Sequence, residues 1–542
     1  MFNSYEFILL CMPIAFGLFW YGGKSLRWRL GFLTFASYAF YSYWTFLDRN
    51  GSFESQRFFQ ALRFDNWQHI KNSLWGWRFT IIMLASSSVD YFAAALLAKI
   101  PRQEEVERAL TPDAGAITYA PRIGRPRPGL RAALLALSLA ANIGLLSFFK
   151  YAGFFSQIAS DIAHLTTGRG FPIFAVVLPV GISFYTFESM SYVIDVYRGI
   201  AKPAKSYLDY ACFISFFPHL VAGPIIRYSD ILHQFRDVAW KRARPDWSHV
   251  SIGLMLFTMG LAKKLLIADS MAALINPLWD RLGTGEPLGM LGSWAVVLGY
   301  TFRIYFDFSG YSDMATGLGH LFAVRLPQNF NSPYKSANPS DFWRRWHMTL
   351  SLWLRDYLYI PLGGSRGGTY KTLRNLLITM LLGGLWHGAA WLFVIWGAWH
   401  GLMLAGYHLC KDRGWLLPTD TVAQRWFNRQ LTFLFVVIGW TFFRAADVRA
   451  GNYGLPSITP ALQMLRQMFI PSHVRHALHI SDLRLLGEWI VFAWIWCNFM
   501  PNSFDFAYGL RLRRWHAAIA GALMAVCILF MGVHMDFLYF RF

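Results

Sequence analysis

The chain has 542 residues, of which 55% are hydrophobic and only 15% are charged. Soluble domains carry nearer a quarter charged residues, so this composition excludes an ordinary soluble globular protein and indicates a membrane protein. The net charge of +20 is explained by positively charged inner loops and anionic lipid headgroups, and we expect no nucleic-acid partner.

Uncharged apolar segments recur along the whole chain. A helix needs roughly 20 apolar residues to cross the hydrocarbon layer of a bilayer. The sequence therefore predicts an all-α polytopic membrane protein with about 11 to 13 membrane-embedded helices. The strongest segments are 7–23, 30–47, 132–149, 210–226, 287–302, 376–410 and 517–535. Weaker candidates lie at 79–97, 171–196, 250–268, 431–443 and 489–500.

Basic residues predict the orientation of the chain. The first apolar segment is followed, not preceded, by basic residues, unlike a cleavable signal peptide. By the positive-inside rule this first loop and the arginine-rich loop at 99–131 are cytoplasmic. Arg511, Arg513 and Arg514 precede the last apolar segment, so both chain termini are expected on the outer side of the membrane.

Four regions follow from these patterns. We predict N-terminal transmembrane helices at 1–98, a basic cytoplasmic loop or insertion at 99–131, a core at 132–445, and a C-terminal transmembrane region with an aromatic tail at 446–542. The five cysteines are widely spaced and have neither a disulfide nor a metal-ligand spacing, so we expect no metal site.

The segment from Arg303 to Asp313 places two acids and a base beside or inside an apolar run. Ionisable groups at membrane depth normally face a water-filled cavity or a charged partner. Two interpretations remain open here. Arg303 and Asp307, one helical turn apart, form a structural ion pair, or Asp307 and Asp313 line a cavity.

The next segment, from residue 338 to 359, predicts an amphipathic helix at the membrane boundary. Ser340 is the expected N-cap, with Asp341 in the first turn. Helical spacing puts one face of the helix on the apolar side and lets arginines flank it. The apolar face comprises Trp343, Trp346, His347, Leu350 and Leu354, and the flanking arginines are Arg344, Arg345 and Arg355. An anchoring helix does not explain His347 on the apolar face.

A second histidine, His387, lies deep in the uncharged run 376–410, directly after Trp386. A histidine accepts or releases a proton near neutral pH, and an ionisable residue inside a membrane segment is a functional candidate by default. The alternative is a structural histidine bonded to a backbone carbonyl; we favour function. His400 and His219 are weaker candidates.

In order along the chain, six stretches resemble the membrane-bound O-acyltransferase family, in the subgroup that acylates bacterial polysaccharides such as alginate. They are residues 178–188, 217–225, 306–314, 341–347, 354–357 and 384–388. The resemblance implies a helical bundle around a central tunnel, with the catalytic core at 132–445 and a donor that enters from the cytoplasm. The predicted insertion at 101–129 departs from the family pattern.

The resemblance also implies roles for individual residues. His387 matches the essential histidine of the family, and His347 matches a second active-site position. His387 is then the base that activates an acceptor hydroxyl, and His347 positions the acceptor or stabilises the oxyanion. Candidates to line the tunnel or bind substrate are Trp343, Trp346, Trp386, Asp307, Asp313, Arg355 and Asp356. The implied donor is acetyl-CoA or another acyl thioester, with no tightly bound cofactor.

The last seven residues resemble the aromatic tails of family members that acylate polysaccharides. The resemblance implies an acyl relay or docking site that involves Tyr539 on the outer face. An aromatic belt at the end of a membrane helix explains the same residues equally well.

The resemblance thus implies an acyltransferase of a bacterial inner membrane. It moves an acyl group, with acetyl favoured, to an exported polysaccharide, directly or through a periplasmic transferase. A D-alanyl or long-chain acyl transferase of the same family is an alternative. Another is a transporter of polysaccharide precursors, although the sequence lacks the inverted repeats that transporters show. A third is a membrane anchor for an external transferase, with no chemistry of its own.

Overall fold

The computed structural model describes residues 2–47, 67–101, 128–174, 176–236, 240, 244–283, 286–416, 421–446, 458–471, 480–509, 514–531 and 537–538. Within these ranges the secondary structure is helical throughout, with no strand. The predicted all-α fold is confirmed. Most of the basic loop predicted at 99–131 lies outside the described residues, and the predicted region boundaries stay predictions.

The first half of the chain begins with a π-helical turn, Phe7–Cys11. Its α-helices are α1 (Met12–Tyr21), α2 (Leu26–Leu47), α3 (Trp67–Lys99), α4 (Pro128–Leu146), α5 (Ala152–Thr167), α6 (Ile182–Arg198), α7 (Tyr207–Ser215), α8 (Phe217–Leu220), α9 (Tyr228–Leu232), α10 (Trp247–Ala262) and α11 (Asp269–Gly283). Two further π-helical turns, Ser147–Tyr151 and Lys263–Ala268, join α4 to α5 and α10 to α11.

The second half begins with its longest described helix, α12 (Gly289–Leu321). It continues with α13 (Pro339–Arg345), α14 (Met348–Leu354), α15 (Thr369–His387), α16 (Trp391–Asp412), α17 (Val422–Ala445), α18 (Thr459–Phe469), α19 (Ile480–Phe499), α20 (Ser503–Gly509) and α21 (Arg514–Phe530). A π-helical turn, Arg355–Tyr359, extends α14. Short 3₁₀ turns occur at Gln234–Arg236 and Pro333–Lys335.

Three helical stretches of the described residues are long and apolar enough to cross a membrane by themselves. They are Trp77–Lys99, Pro128–Thr167 and Trp247–Leu282. The pair Leu483–Phe499 and Ser503–Gly509, which is bent by 46°, adds a fourth if it forms one span. Other buried helices, such as α12, carry charged residues that lower their hydropathy. The predicted total of about 11 to 13 embedded helices therefore stays a prediction.

Helix α12 is the centre of the bundle, because every residue from Gly299 to Leu321 is buried. It packs closely against α10 through facing glycines. A Cβ atom on Gly260 would lie 2.5 Å from the carbonyl oxygen of Gly310, which is too close for any larger residue. Small residues of this kind let two membrane helices approach each other backbone to backbone.

The uncharged run 376–410 forms an antiparallel hairpin of α15 and α16, with the turn at residues 388–390. Gly384 and Gly397 face each other at the crossing, and a Cβ atom on Gly384 would lie 2.2 Å from the carbonyl oxygen of Phe393. The sequence allowed two passes or one pass with a re-entrant piece. The structure shows two full helices, so His387 lies where the first of them ends.

Candidate active site

His387 is the last residue of α15, and its side chain faces the interior of the bundle at 5% exposure. Its ring centroid lies 5.0 Å from that of Trp396 on α16 and 5.2 Å from that of Phe443 on α17. Three helices therefore supply the walls around this histidine. An ionisable side chain enclosed by apolar rings is a functional candidate, which is what the sequence predicts for His387.

The sequence predicts one continuous helix at the membrane boundary. This prediction is wrong, because the helix breaks between Trp346 and His347. Trp346 is extended, and His347 has φ 41° and ψ 54°, in the left-handed region that non-glycine residues rarely adopt. Hydrogen bonds to the segment 329–331 hold the break: Met348 N donates to Asn329 O. The break turns His347 into the bundle, where it is fully buried.

The predicted N-cap of this helix is also wrong by two residues. The side chain of Asn338, not that of Ser340, accepts the hydrogen bond from the backbone N–H of Asp341. Pro339 at the first helical position explains the shift, because proline is favoured there and lacks an N–H group. The prediction that Asp341 lies in the first turn is confirmed.

Asn329 fixes the ring of His347. Its Oδ1 lies 3.1 Å from His347 Nδ1, and its Nδ2 donates to Ser312 Oγ on α12 at 3.1 Å. Because an amide oxygen only accepts, Nδ1 carries the proton and a neutral His347 has its lone pair on Nε2. Sequence reasoning missed Asn329, since a single asparagine in a polar connecting segment gives no distinguishing signal.

Trp386 brings the two histidines together. Its ring centroid lies 5.0 Å from that of His387 and 6.2 Å from that of His347. The two histidines are close enough to interact electrostatically. Phe187 on α6 stacks on the same indole at 5.2 Å, so the stretch 178–188 forms part of the enclosure.

The other predicted tryptophans form an adjoining aromatic cluster with His400. The ring of Trp343 lies 5.2 Å from that of His400, and Trp346 lies 4.8 Å from Trp440 on α17. His400 in turn lies 4.8 Å from Trp396, the residue that also contacts His387. The structure therefore places Trp343 and Trp346 next to the histidine site, with one aromatic layer between.

Asp307 and Asp313 are buried ion-pair residues. Lys264 Nζ lies 2.6 Å from Asp307 Oδ1 and 2.6 Å from Asp269 Oδ1, while Lys263 Nζ lies 2.7 Å from Asp313 Oδ2. Both lysines belong to the π-helical turn after α10. Both carboxylates therefore lie in ion pairs, but the partner that the sequence suggested for Asp307 was Arg303, whereas the structure pairs Asp307 with Lys264. Arg303 donates to Asn276 Oδ1.

Arg355 and Asp356 lie apart from the two histidines, at the surface end of α14. Arg355 Nε lies 2.6 Å from Asp356 Oδ1, and Arg227 also bonds to this carboxylate. Burial favours a higher pKa, but the hydrogen bonds from the two arginines outweigh it and hold the pKa of Asp356 below its usual value. The carboxylate of Asp356 thus links the end of α14 to the segment that precedes α9.

Tyr539 lies outside the described residues, but the two residues before it are described. The backbone N–H of Leu538 donates to Asp307 Oδ2 at 2.9 Å. The ring of Phe537 stacks on Tyr311 at 4.6 Å and lies 6.1 Å from Phe308, which itself lies 4.8 Å from the ring of His347. Phe537 therefore lies one aromatic ring away from His347.

Lys150 is the residue near the site that sequence reasoning missed most clearly. It lies in the π-helical turn between α4 and α5, and its ammonium group donates to the carbonyl oxygen of Trp386. The signal was present in the sequence, because Lys150 is the one charged residue between positions 132 and 160.

A separate cavity of about 800 Å³ opens between α10, α19 and α21. It is lined mainly by apolar side chains, including Met259, Trp489 and Trp515, and neither His347 nor His387 reaches it. No cluster of three potential metal ligands occurs among the residues that the structure describes.

Comparison with known proteins identifies the family of the chain. The sequence profile of the membrane-bound O-acyltransferase family matches residues 201–446, which include both histidines. A probable alginate O-acetylase of Pseudomonas aeruginosa is 37% identical over 452 residues, or 83% of this chain and 72% of that protein. A probable alginate O-acetylase of Pseudomonas putida is 38% identical over 465 residues, or 84% of this chain and 79% of its own length.

A peptidoglycan O-acetyltransferase of Helicobacter pylori is 39% identical over 344 residues, which are 58% of this chain and 62% of that protein. The names of these relatives all denote O-acetyl transfer, and the similarity to the two Pseudomonas proteins covers most of both chains. The chain therefore belongs to the membrane-bound O-acyltransferase family and is a multi-pass membrane O-acyltransferase.

Proposed function

We propose that this acyltransferase moves an acetyl group from a cytoplasmic acyl-CoA thioester through the membrane to an exported polysaccharide, directly or through a periplasmic transferase. The convergence of His387 and His347 on Trp386 carries the proposal, because it joins two buried proton-accepting groups in an enclosure of aromatic rings. The names of the relatives, alginate O-acetylase and peptidoglycan O-acetyltransferase, favour acetyl over D-alanyl or long acyl chains.

His387 is the general base of the proposed reaction. A hydroxyl group is a poor nucleophile until a base removes its proton during attack on the thioester carbonyl carbon. The proton passes to His387, the tetrahedral intermediate collapses, and the departing thiolate takes the proton back from the imidazolium. The free thiol and the new ester are the products, and His387 returns to its neutral form.

His347 positions the acceptor in this scheme. With its Nδ1–H directed at Asn329, a neutral His347 can accept but not donate a hydrogen bond through Nε2. Because the reacting hydroxyl gives its one proton to His387, Nε2 of His347 orients the acceptor by accepting a hydrogen bond from another of its donor groups. The second role considered from the sequence, donation to an oxyanion, requires the proton on Nε2 and fits this geometry less well.

The aromatic tail with Tyr539 is proposed as the docking site or acyl relay on the outer face. The contacts of Phe537 with Tyr311 and Phe308 support it, because Phe537 is two residues before Tyr539 in the chain and Phe308 contacts His347. This assignment agrees with both termini on the periplasmic side of a bacterial inner membrane.

The proposal is tested with purified protein in lipid nanodiscs and radiolabelled acetyl-CoA. We expect the wild type to release or transfer labelled acetate and His387→Ala to lose this activity. His164→Ala is the matched control, because His164 lies exposed near the end of α5. A parallel series with longer acyl thioesters identifies the preferred donor.

Equal turnover by wild type and His387→Ala would remove His387 from the chemistry. Turnover of a long-chain donor but not of acetyl-CoA would replace acetyl with the longer chain. Movement of a polysaccharide precursor across the bilayer without ester formation would favour the transporter alternative.

A further inference from the structure

Lys150 and Tyr151 close the end of the helix that carries His387. The carbonyl oxygens of the last helical turn have no partner within the helix and need donors from elsewhere. Tyr151 Oη donates to Leu385 O at 2.7 Å, and Lys150 Nζ donates to Trp386 O. The π-helical turn at Ser147–Tyr151 directs two successive side chains to this point, as π-bulges often do at functional sites.

The lysine also contacts the stretch 178–188. Its Nζ lies 3.2 Å from Ser183 Oγ and 5.6 Å from the ring centroid of Trp386. The carbonyl oxygen and the ring that Lys150 contacts both belong to Trp386, which directly precedes His387 in the chain. The ammonium group is therefore a neighbour of the proposed base, although it comes from the opposite half of the chain.

Lys150 differs from the other lysines inside the bundle. Lys263 and Lys264 pair with Asp313, Asp307 and Asp269. Lys150 has no carboxylate partner among the described residues, and its two hydrogen-bond acceptors are neutral oxygens. A cation within a membrane span is costly unless an anion or water compensates it, so an unpaired one indicates a site where negative charge arises.

We propose that Lys150 is a further catalytic residue, which donates a hydrogen bond to the oxyanion of the tetrahedral intermediate. This inference rests on the proposed transfer from a thioester. When the acceptor oxygen bonds to the carbonyl carbon, its proton goes to His387 and the electron pair of the C=O bond moves to oxygen. An ammonium group has three N–H donors, and the two recorded bonds leave the third for that oxyanion.

This role complements that of His347. A neutral His347 with its proton on Nδ1 has no N–H group to offer to the oxyanion, as argued above. The side chain of Lys150 is held in place before the reaction by Ser183 and Trp386, so it meets the developing charge without reorganisation. After the C–S bond breaks, the C=O bond re-forms and Lys150 keeps only its two original partners.

The test compares kcat and KM for acetyl-CoA in full-length protein in nanodiscs. The variants are Lys150→Met, which removes charge and donors, and Lys150→Gln, which keeps N–H donors without the charge. We expect Lys150→Met to lower kcat about 100-fold with little change in KM, since loss of one oxyanion donor has an effect of this order. Lys150→Gln should also lower kcat, because its neutral amide lacks the positive charge that stabilises the oxyanion. Tyr151→Phe is the matched control, because it removes a neighbouring cap of the same helix without a change of charge, and should keep most of kcat.

A lysine that only closes the helix predicts a different pattern. Lys150→Gln would then turn over like the wild type, or Tyr151→Phe would lose as much kcat as Lys150→Met, and either result overturns the proposal. Thermal unfolding of each variant in detergent identifies a loss caused by misfolding, and Lys150→Gln decides if Lys150→Met does not fold. Wild-type turnover tests the proposed function, whereas the ratio of variant to wild type tests this inference.

Discussion

The Nδ1 atom of His347 lies 3.1 Å from Oδ1 of Asn329, and this contact places the proton of a neutral His347 on Nδ1. The same amide oxygen accepts a hydrogen bond from Thr349 Oγ1 at 3.0 Å. Asn329 thus holds both the ring of His347 and the first turn of the helix that follows it. The backbone strain at His347 is maintained by these contacts.

We expect Asn329→Leu to lower kcat about 100-fold through misorientation of His347, because misplacement of a reacting group by about 1 Å has an effect of this size. Steady-state turnover of acetyl-CoA measures it. Asn498→Leu is the control, since Asn498 is also buried but donates to Trp494 O on α19. Unchanged kcat in Asn329→Leu would mean that the orientation of His347 does not depend on this bond.

The close contact of α15 with α16 at Gly384 and Gly397 should make the stability of the protein sensitive to larger residues there. We expect Gly384→Ala to destabilise the protein by about 1–3 kcal/mol, the usual effect of overpacking, because the added methyl group meets the carbonyl oxygen of Phe393. Gly406→Ala on α16 should be tolerated, since no atom lies within 4 Å of its Cβ position. Thermal unfolding in detergent compares them, and equal stability of the two variants would contradict the close packing.

The buried ion cluster of Lys264, Asp269 and Asp307 should stabilise the fold only while the lysine and both carboxylates are present. Lys264→Met leaves the carboxylates of Asp269 and Asp307 without their cation, and removal of one partner of a buried pair typically costs about 3–5 kcal/mol. Arg484→Met breaks the exposed pair with Glu488 and should change stability by less than about 1 kcal/mol. Chemical denaturation of both variants checks this, and a tolerated Lys264→Met would show that the carboxylates are neutral.

The position of Phe537 predicts that transfer to the acceptor and hydrolysis of acetyl-CoA can be affected separately. We expect Phe537→Ala to reduce transfer to the acceptor more than hydrolysis of acetyl-CoA. The ring of Phe537 contacts Tyr311 and Phe308 on the side of His347, whereas His387 is bordered by Trp396 and Phe443. Phe530→Ala, at an exposed position at the end of α21, is the control. Parallel loss of both activities would assign Phe537 to the stability of the site instead.

The sequence alone determined the membrane class, the all-α fold and the family. These features depend on composition, on the length of apolar runs and on short motifs, and all three are local properties that a single chain displays directly. His387 was found in the same way, because an ionisable residue inside an uncharged run is conspicuous without any knowledge of its neighbours.

Only the tertiary structure decided which groups meet. The break at His347 depends on hydrogen bonds from the segment 329–331, and helical periodicity gave no sign of it. The partners of Asp307 come from Lys264 and from Leu538, which are 43 and 231 positions away in the chain. Lys150 reaches Trp386 across 236 positions. Such contacts arise from the packing of whole helices, whose relative positions no local pattern encodes.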